Sequence, residues 1–187
     1  IVHKAERKLD AFRDIIERRY QTKGNLKYTL VYVPEGNMPD YIGNNDDFDR
    51  SEDIGDDNDA EHLINQYTQM VTEVDDHVTV RKFVSGQKDR EEILSDFADG
   101  RLQVLTSMKC LDEGVDVPRS ELAIFCSSTG NPRQFIQRRG RVLRTHPDKK
   151  MAELHDLVVV PELNPNSNSF RMEQSLLRGE LMRVNNF

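Results

Sequence analysis

Helical and strand-like spacings of apolar residues alternate along this chain. Over residues 3–20, Leu9, Phe12 and Ile16 recur at spacings of three and four, and Ala5 and Tyr20 extend the stripe, which predicts an amphipathic helix. Residues 27–33 are a run of strand formers that Pro34 ends. Helical spacing returns over 60–74, with Leu63, Ile64, Tyr67, Met70 and Val71 facing inward. A second strand is expected at 78–84. Ser85 and Gly86 turn the chain into a helix over 88–98, with Ile93, Leu94 and Phe97 toward the core and Asp99-Gly100 as its stop. Strands follow at 102–106, 122–126 and 153–160, the last broken by Pro161. Between the last two strands, Asn131 is placed to cap a helix and Pro132 suits its first turn. Residues 164–168 read as a polar linker, and 170–184 as a last helix striped by Leu177, Leu181 and Val184. Strands alternating with helices imply an α/β fold, with a mainly parallel sheet covered on both faces and ligands at the carboxyl ends of the strands.

Residues 35–62 interrupt this pattern. They hold eleven acidic side chains against one base, Arg50, and read as an acidic surface insertion with little to bury. The segment carries −10 of a total charge of −7, which leaves +3 on the rest of the chain. Residues 133–150 hold seven bases and one acid, Asp148, so the overall balance hides a basic site. The 187 residues suffice for one α/β domain with peripheral helices. Cys110 and Cys126 have no metal-type spacing and read as reduced thiols of a cytoplasmic protein. No apolar run approaches the ~20 residues needed to span a bilayer, so no membrane partner is expected. The chain starts on Ile, which predicts a piece of a longer protein.

The basic site centres on Gln137-Arg138-Arg139-Gly140-Arg141-Val142-Leu143-Arg144. On a helix, Gln137, Arg141 and Arg144 fall on one stripe at spacings of four and three. Phe135, Ile136, Val142 and Leu143 are expected on the opposite, core face. Gly140 allows close approach to the backbone. A guanidinium binds phosphate bidentately and keeps its charge, which suits such a row to the charge that develops in phosphoryl transfer. Upstream, Leu111-Asp112-Glu113-Gly114-Val115-Asp116-Val117-Pro118 follows an apolar strand.

Together these two stretches resemble motifs V and VI of superfamily 2 helicases and translocases, with 27–33 in the place of motif IV. The resemblance runs from about Lys27 to Pro161 and implies the second RecA-like domain of the motor, a three-layer α/β/α fold. It implies that Arg141 and Arg144 reach the γ-phosphate of ATP across a cleft and that Gln137 lies near the attacking water. Gly114 and Asp116 would approach the nucleotide, with Asp116 on the ribose or paired to an arginine of the helix. Arg138 is expected to support structure or to pair with an acid. Nucleic-acid phosphates would be met by Ser85, Gly86, Thr106 and Ser107. Two departures stand out. Met108 occupies a position where many relatives carry Thr. Glu113 is acidic where relatives of the RNA-helicase type carry Arg, which resembles the restriction and repair branch and leans toward double-stranded DNA.

The chain has no G-x-x-x-x-G-K-[ST] loop and no D-E-x-[HDC] stretch suited to magnesium. In the family those parts belong to the first RecA-like domain, the expected partner, which would bind most of the ATP and Mg2+. The resemblance thus implies the arginine side of a composite ATP site, inactive by itself. The alternative is a catalytically silent RecA-like module whose arginine row holds nucleic acid or a protein.

Overall fold

A computed structural model describes residues 6–34, 57–108, 117–126 and 132–185. Helix α1 (Glu6–Lys23) leads into strand β1 (Thr29–Tyr32), followed by α2 (Asp57–Thr72), β2 (Val80–Phe83), α3 (Arg90–Ala98), β3 (Val104–Ser107) and β4 (Leu122–Phe125). Then come α4 (Pro132–Val142), β5 (Glu153–Asp156) and α5 (Phe170–Asn185). The strands form one sheet in the order β2-β3-β1-β4-β5, and all four pairings are parallel. Their last residues lie level. Phe83 pairs with Ser107, Ser107 with Tyr32, Tyr32 with Phe125, and Phe125 with Asp156.

Residues of the three inner strands face one of two cores in turn, because successive side chains point to opposite faces. Val31, Val104, Leu122 and Ile124 meet α1 and α2 through Phe12, Ile16, Leu63, Ile64, Tyr67 and Val71. Phe12 meets Tyr67 edge to face, with ring centroids 4.9 Å apart. Leu30, Tyr32, Leu105, Ala123 and Phe125 meet α3 through Ile93 and Phe97, and α4 through Val142. The sheet is therefore covered on both faces, as parallel sheets require. On the α1 side, the buried Lys8 donates from Nζ to the carbonyl of Cys126, 3.0 Å away, and ties α1 to the end of β4. Burial pushes the Cys126 thiol well up, although Lys8 pulls the other way.

Three sequence expectations are corrected. The acidic stretch is not all insertion, because α2 already begins at Asp57; residues 35–56 lie outside the described residues. The last strand stops at Asp156 rather than Val160. Its only neighbour is β4, and the ladder ends once Leu157 has donated to Phe125. Beyond that point the Val159 amide bonds Glu180 of α5 at 3.2 Å, so a carboxylate replaces a strand partner. On α5, Leu181 and Val184 are exposed and Leu177 only half-buried, while Glu180 is the buried residue.

Tyr28, just before β1, takes a φ of 63°, which is unusual for a residue with a side chain. Gly100 faces it with a φ of 72°, and a Cβ there would stand 2.7 Å from the Tyr28 hydroxyl oxygen. Gly100 is thus required twice, by its backbone angle and by contact. Gly100→Ala should lower the unfolding free energy by more than about 1 kcal/mol, measured by urea titration. Gly24→Ala, with nothing near the added carbon, should show the cost of its φ of 70° alone and a smaller loss.

Candidate functional site

Helix α4 starts past the carboxyl end of β4 and runs back across the α3 side of the sheet. The surface it buries differs from the apolar pattern. Arg138, only 3% exposed, and Val142 four residues later form its inward face. Ile136 and Leu143, expected in the core, are 60% and 53% exposed. At 100° per residue, the helix is turned by roughly a quarter turn from the sequence expectation. The cause lies under Arg138. Its guanidinium carbon sits 5.4 Å from the ring centre of Tyr32, and Tyr32 stacks on Phe125 at 4.8 Å and 12°. A cation above a stacked aromatic pair is held by the ring quadrupole where water is excluded. The expected supporting role of Arg138 agrees with this position.

The turn keeps Gln137, Arg141 and Arg144 together. Gln137 and Arg144 are exposed and Arg141 is half-buried at the flank. Ile136, Gly140 and Leu143 make a parallel exposed stripe beside them, and nothing lies within 4 Å of a Cβ built on Gly140. Arg139 is half-buried. The helix ends with Leu143 donating to Arg139 at 2.9 Å and Arg144 to Arg141 at 3.4 Å. Lys149 Nζ then bonds the carbonyls of Val142, at 2.8 Å, and Pro118, at 2.7 Å. Pro118 precedes the start of β4, so the far end of α4 lies toward the amino end of that strand. The donor row therefore does not sit wholly at the carboxyl ends of the strands, as the sequence pattern suggested. Because helix α4 runs antiparallel to the sheet, it carries Arg141 and Arg144 back from that edge.

Gly114 and Asp116, expected beside the nucleotide, lie outside the described residues, as do Glu113, Cys110 and residues 127–131. Ser85 and Gly86 are exposed at the end of β2, Gly86 with a φ of 79°. Gln87 pins their turn by accepting from the Val84 amide at 3.0 Å and donating to the Lys82 carbonyl at 3.2 Å. Thr106 does not reach the surface: it is fully buried, and its hydroxyl meets that of Thr68 in α2 at 2.7 Å. Ser107 is also buried, on the α4 side of the sheet, and its hydroxyl has no hydrogen-bond partner among the described residues. Sequence reasoning missed Tyr32, Phe125 and Lys149. The two aromatics read as ordinary strand residues and Lys149 only as one of the bases of 133–150, and no local signal sets them apart.

The five-stranded, all-parallel sheet with helices on both faces is a RecA-like α/β fold. Residues 58–146 match the family described as helicase conserved C-terminal domain. The DNA 3'-5' translocase XPB2 of Sulfurisphaera tokodaii is 45% identical over 67 residues, 36% of this chain and 15% of that protein. The Haloarcula marismortui protein named putative DNA 3'-5' helicase Rad25 is 38% identical over 76 residues, 38% of this chain and 12% of that protein. The matches thus span less than a sixth of either relative's length. The C-terminal part of the Fun30 ATPase domain shares the fold, with a TM-score of 0.58 and 12% identity, over 96% of this chain and 54% of that one. Among the described residues, no helix is long and apolar enough to cross a membrane.

The buried Arg138 and the exposed Arg144 predict unequal stability effects. Arg138→Ala removes a buried cation and opens the space above Tyr32, and should cost about 2 kcal/mol or more. Arg144→Ala, at the surface, should stay within about 0.5 kcal/mol of the parent. Equilibrium denaturation of the two variants side by side measures the contrast.

Proposed function

We propose that this chain is the second motor domain of an ATP-dependent superfamily 2 translocase or helicase acting on DNA. The observation that carries the reading is the outward stripe Gln137–Arg141–Arg144, held on a helix whose other face is fixed by Arg138 and Val142. An amide and two guanidinium groups are donors suited to polyphosphate oxygens, so the stripe fits one side of a nucleotide. Among the described residues, no group of three His, Cys, Asp or Glu side chains is arranged to hold a metal ion. The reading therefore assigns Mg2+ and the phosphate-binding loop to the first RecA-like domain.

ATP supplies the phosphoryl group whose transfer to water drives the motor. Arg141 and Arg144 stabilise the negative charge that grows on the transferring oxygens, and Gln137 orients the attacking water by hydrogen bonding. Fixed guanidinium groups act here without reorganising at the moment of reaction. Gly114 and Asp116 are assigned to the nucleotide sugar. Ser85 and Gly86, exposed on a pinned turn, are assigned to the nucleic-acid backbone, where phosphate contacts position the duplex without reading its sequence. Ser107 is assigned to the same track, and Thr106 to it only through its backbone. DNA is favoured by the names of the two archaeal relatives and by the acidic Glu113.

In the full-length parent, Arg141→Ala or Arg144→Ala should lower ATP turnover by about 10³, in line with the loss of an arginine finger. Nucleotide binding should fall much less, because these groups act on transition-state charge. Arg141→Lys should rescue poorly, since an ammonium lacks the planar fork. Near-normal turnover with weakened DNA binding would point instead to a silent binding module. The chain by itself should show no DNA-stimulated ATPase. Turnover by a pure sample that is abolished by Arg141→Ala would contradict that division of labour.

A further inference from the structure

Lys149 makes two bonds that join separate parts of the chain. Its ammonium donates to the Val142 carbonyl at 2.8 Å and to the Pro118 carbonyl at 2.7 Å, 7 and 31 residues away in sequence. The Val142 carbonyl belongs to the last turn of α4, where carbonyls lack intrahelical donors. A cation at that end also meets the negative pole of the helix. Both bonds are charge-assisted, at lengths usual for that class. Burial lowers the Lys149 pKa, so part of the ammonium's water shell has been exchanged for these carbonyl oxygens.

The loop carrying Lys149 has its own anchorage. Its backbone amide donates to His146 at 3.0 Å, and the Asp148 amide reaches the His146 ring at 3.2 Å. Asp148 stands 3.7 Å from Arg119, the residue after Pro118. The Arg119 guanidinium lies 4.3 Å from the ring centre of Tyr28 and donates to the Ala98 carbonyl at 3.3 Å. Two adjacent residues of the loop therefore grip two adjacent residues of the Pro118 turn, and that turn is braced on Tyr28 and the end of α3.

We propose that Lys149 is a positioning residue that fastens the end of the arginine helix to the Pro118 turn and so fixes where Arg141 and Arg144 stand. The inference rests on the motor reading for its catalytic consequence, and on the two bonds for its structural one. Val142 lies one residue after Arg141 and two before Arg144, so the clasp acts within one helical turn of both donors. Arg138 sets the rotation of α4 from its middle, and the buried Val142 seats its last residue against the core. Arg144 lies past the last residue of the helix, with its amide bonded at a long 3.4 Å to the Arg141 carbonyl. Lys149 adds a shorter bond to the Val142 carbonyl that lies between the two arginines. An arginine finger is effective only while its donors stay within a fraction of an ångström of the developing charge.

The test uses the full-length parent with Lys149→Met, Lys149→Arg and, as reference, Arg141→Ala. Lys149→Met should lower kcat for DNA-stimulated ATP hydrolysis by roughly ten- to a hundredfold, with the nucleotide KM little changed. Lys149→Arg keeps charge and donors and should recover most of the loss. Amide hydrogen exchange gives a reading independent of activity: in Lys149→Met, Leu143 and Arg144 should exchange on the order of tenfold faster while amides of β1 and β4 do not change. Unchanged kcat in Lys149→Met, alongside an inactive Arg141→Ala, would overturn the positioning role and leave the motor reading standing. Faster exchange spread through the whole sheet would also overturn it, since that is plain destabilisation. If Arg141→Ala is fully active, the motor reading fails and exchange decides: local loosening at Leu143 and Arg144 supports the clasp, and its absence refutes it.

Discussion

A helix with four arginines in eight residues has little apolar surface with which to hold itself to a sheet. The stacked pair of Tyr32 and Phe125 resolves this, because it offers an aromatic face on which one of those arginines is buried. The rest of the site follows from that single contact. With Arg138 inward, helical geometry sends Gln137 and Arg144 to the surface and Arg141 to the flank. The level ends of the strands matter in the same way. The pair stacks because parallel register brings the last residues of β1 and β4 side by side on one face. A slip of one residue in either strand would turn one ring to the opposite core.

Most of the fold was legible because burial imposes a period on sequence. The five inward residues of α2 are the five its spacing nominates, and Ile93 and Phe97 of α3 are likewise buried. Legibility failed where a polar contact beat hydrophobic pattern. Ile136 and Leu143 are apolar and belong to the core by any period count, yet the pull of Arg138 toward an aromatic face outweighs them. The last strand was read too long for a related reason: its sequence continues to favour extension, but its partner has ended. On α5, Glu180 is buried because a loop amide needs an acceptor, which no periodicity could announce. Of the candidate site, the donor row was legible as a stripe. The buriedness of Thr106 and the reach of Lys149 were not, since each depends on an element distant in sequence.

Three cations hold the path from β4 through α4, and none of them is on the donor stripe. Lys8 bonds the carbonyl at which the chain leaves β4, Arg138 seats the middle of the helix, and Lys149 closes its end. Positive charge in this protein thus also serves to satisfy backbone carbonyls and an aromatic ring, while the acidic 35–62 stretch, at −10, accounts for a net charge of −7 in a chain with a basic 133–150 stretch.

The central place of β1 also governs when the protein can take shape. It is the first strand in sequence, yet its neighbours on either side are β3 and β4, so that Thr29 must wait for Val104 and for Leu122. During synthesis the ribosome therefore releases the acidic stretch and two helices before the strand behind them has any partner. Sheets assembled from such distant pieces form slowly, and their early intermediates expose apolar edges. The nascent chain accordingly carries an unpaired Leu30-Val31-Tyr32-Val33 segment until β3 has emerged, and keeps one edge of it open until β4 follows.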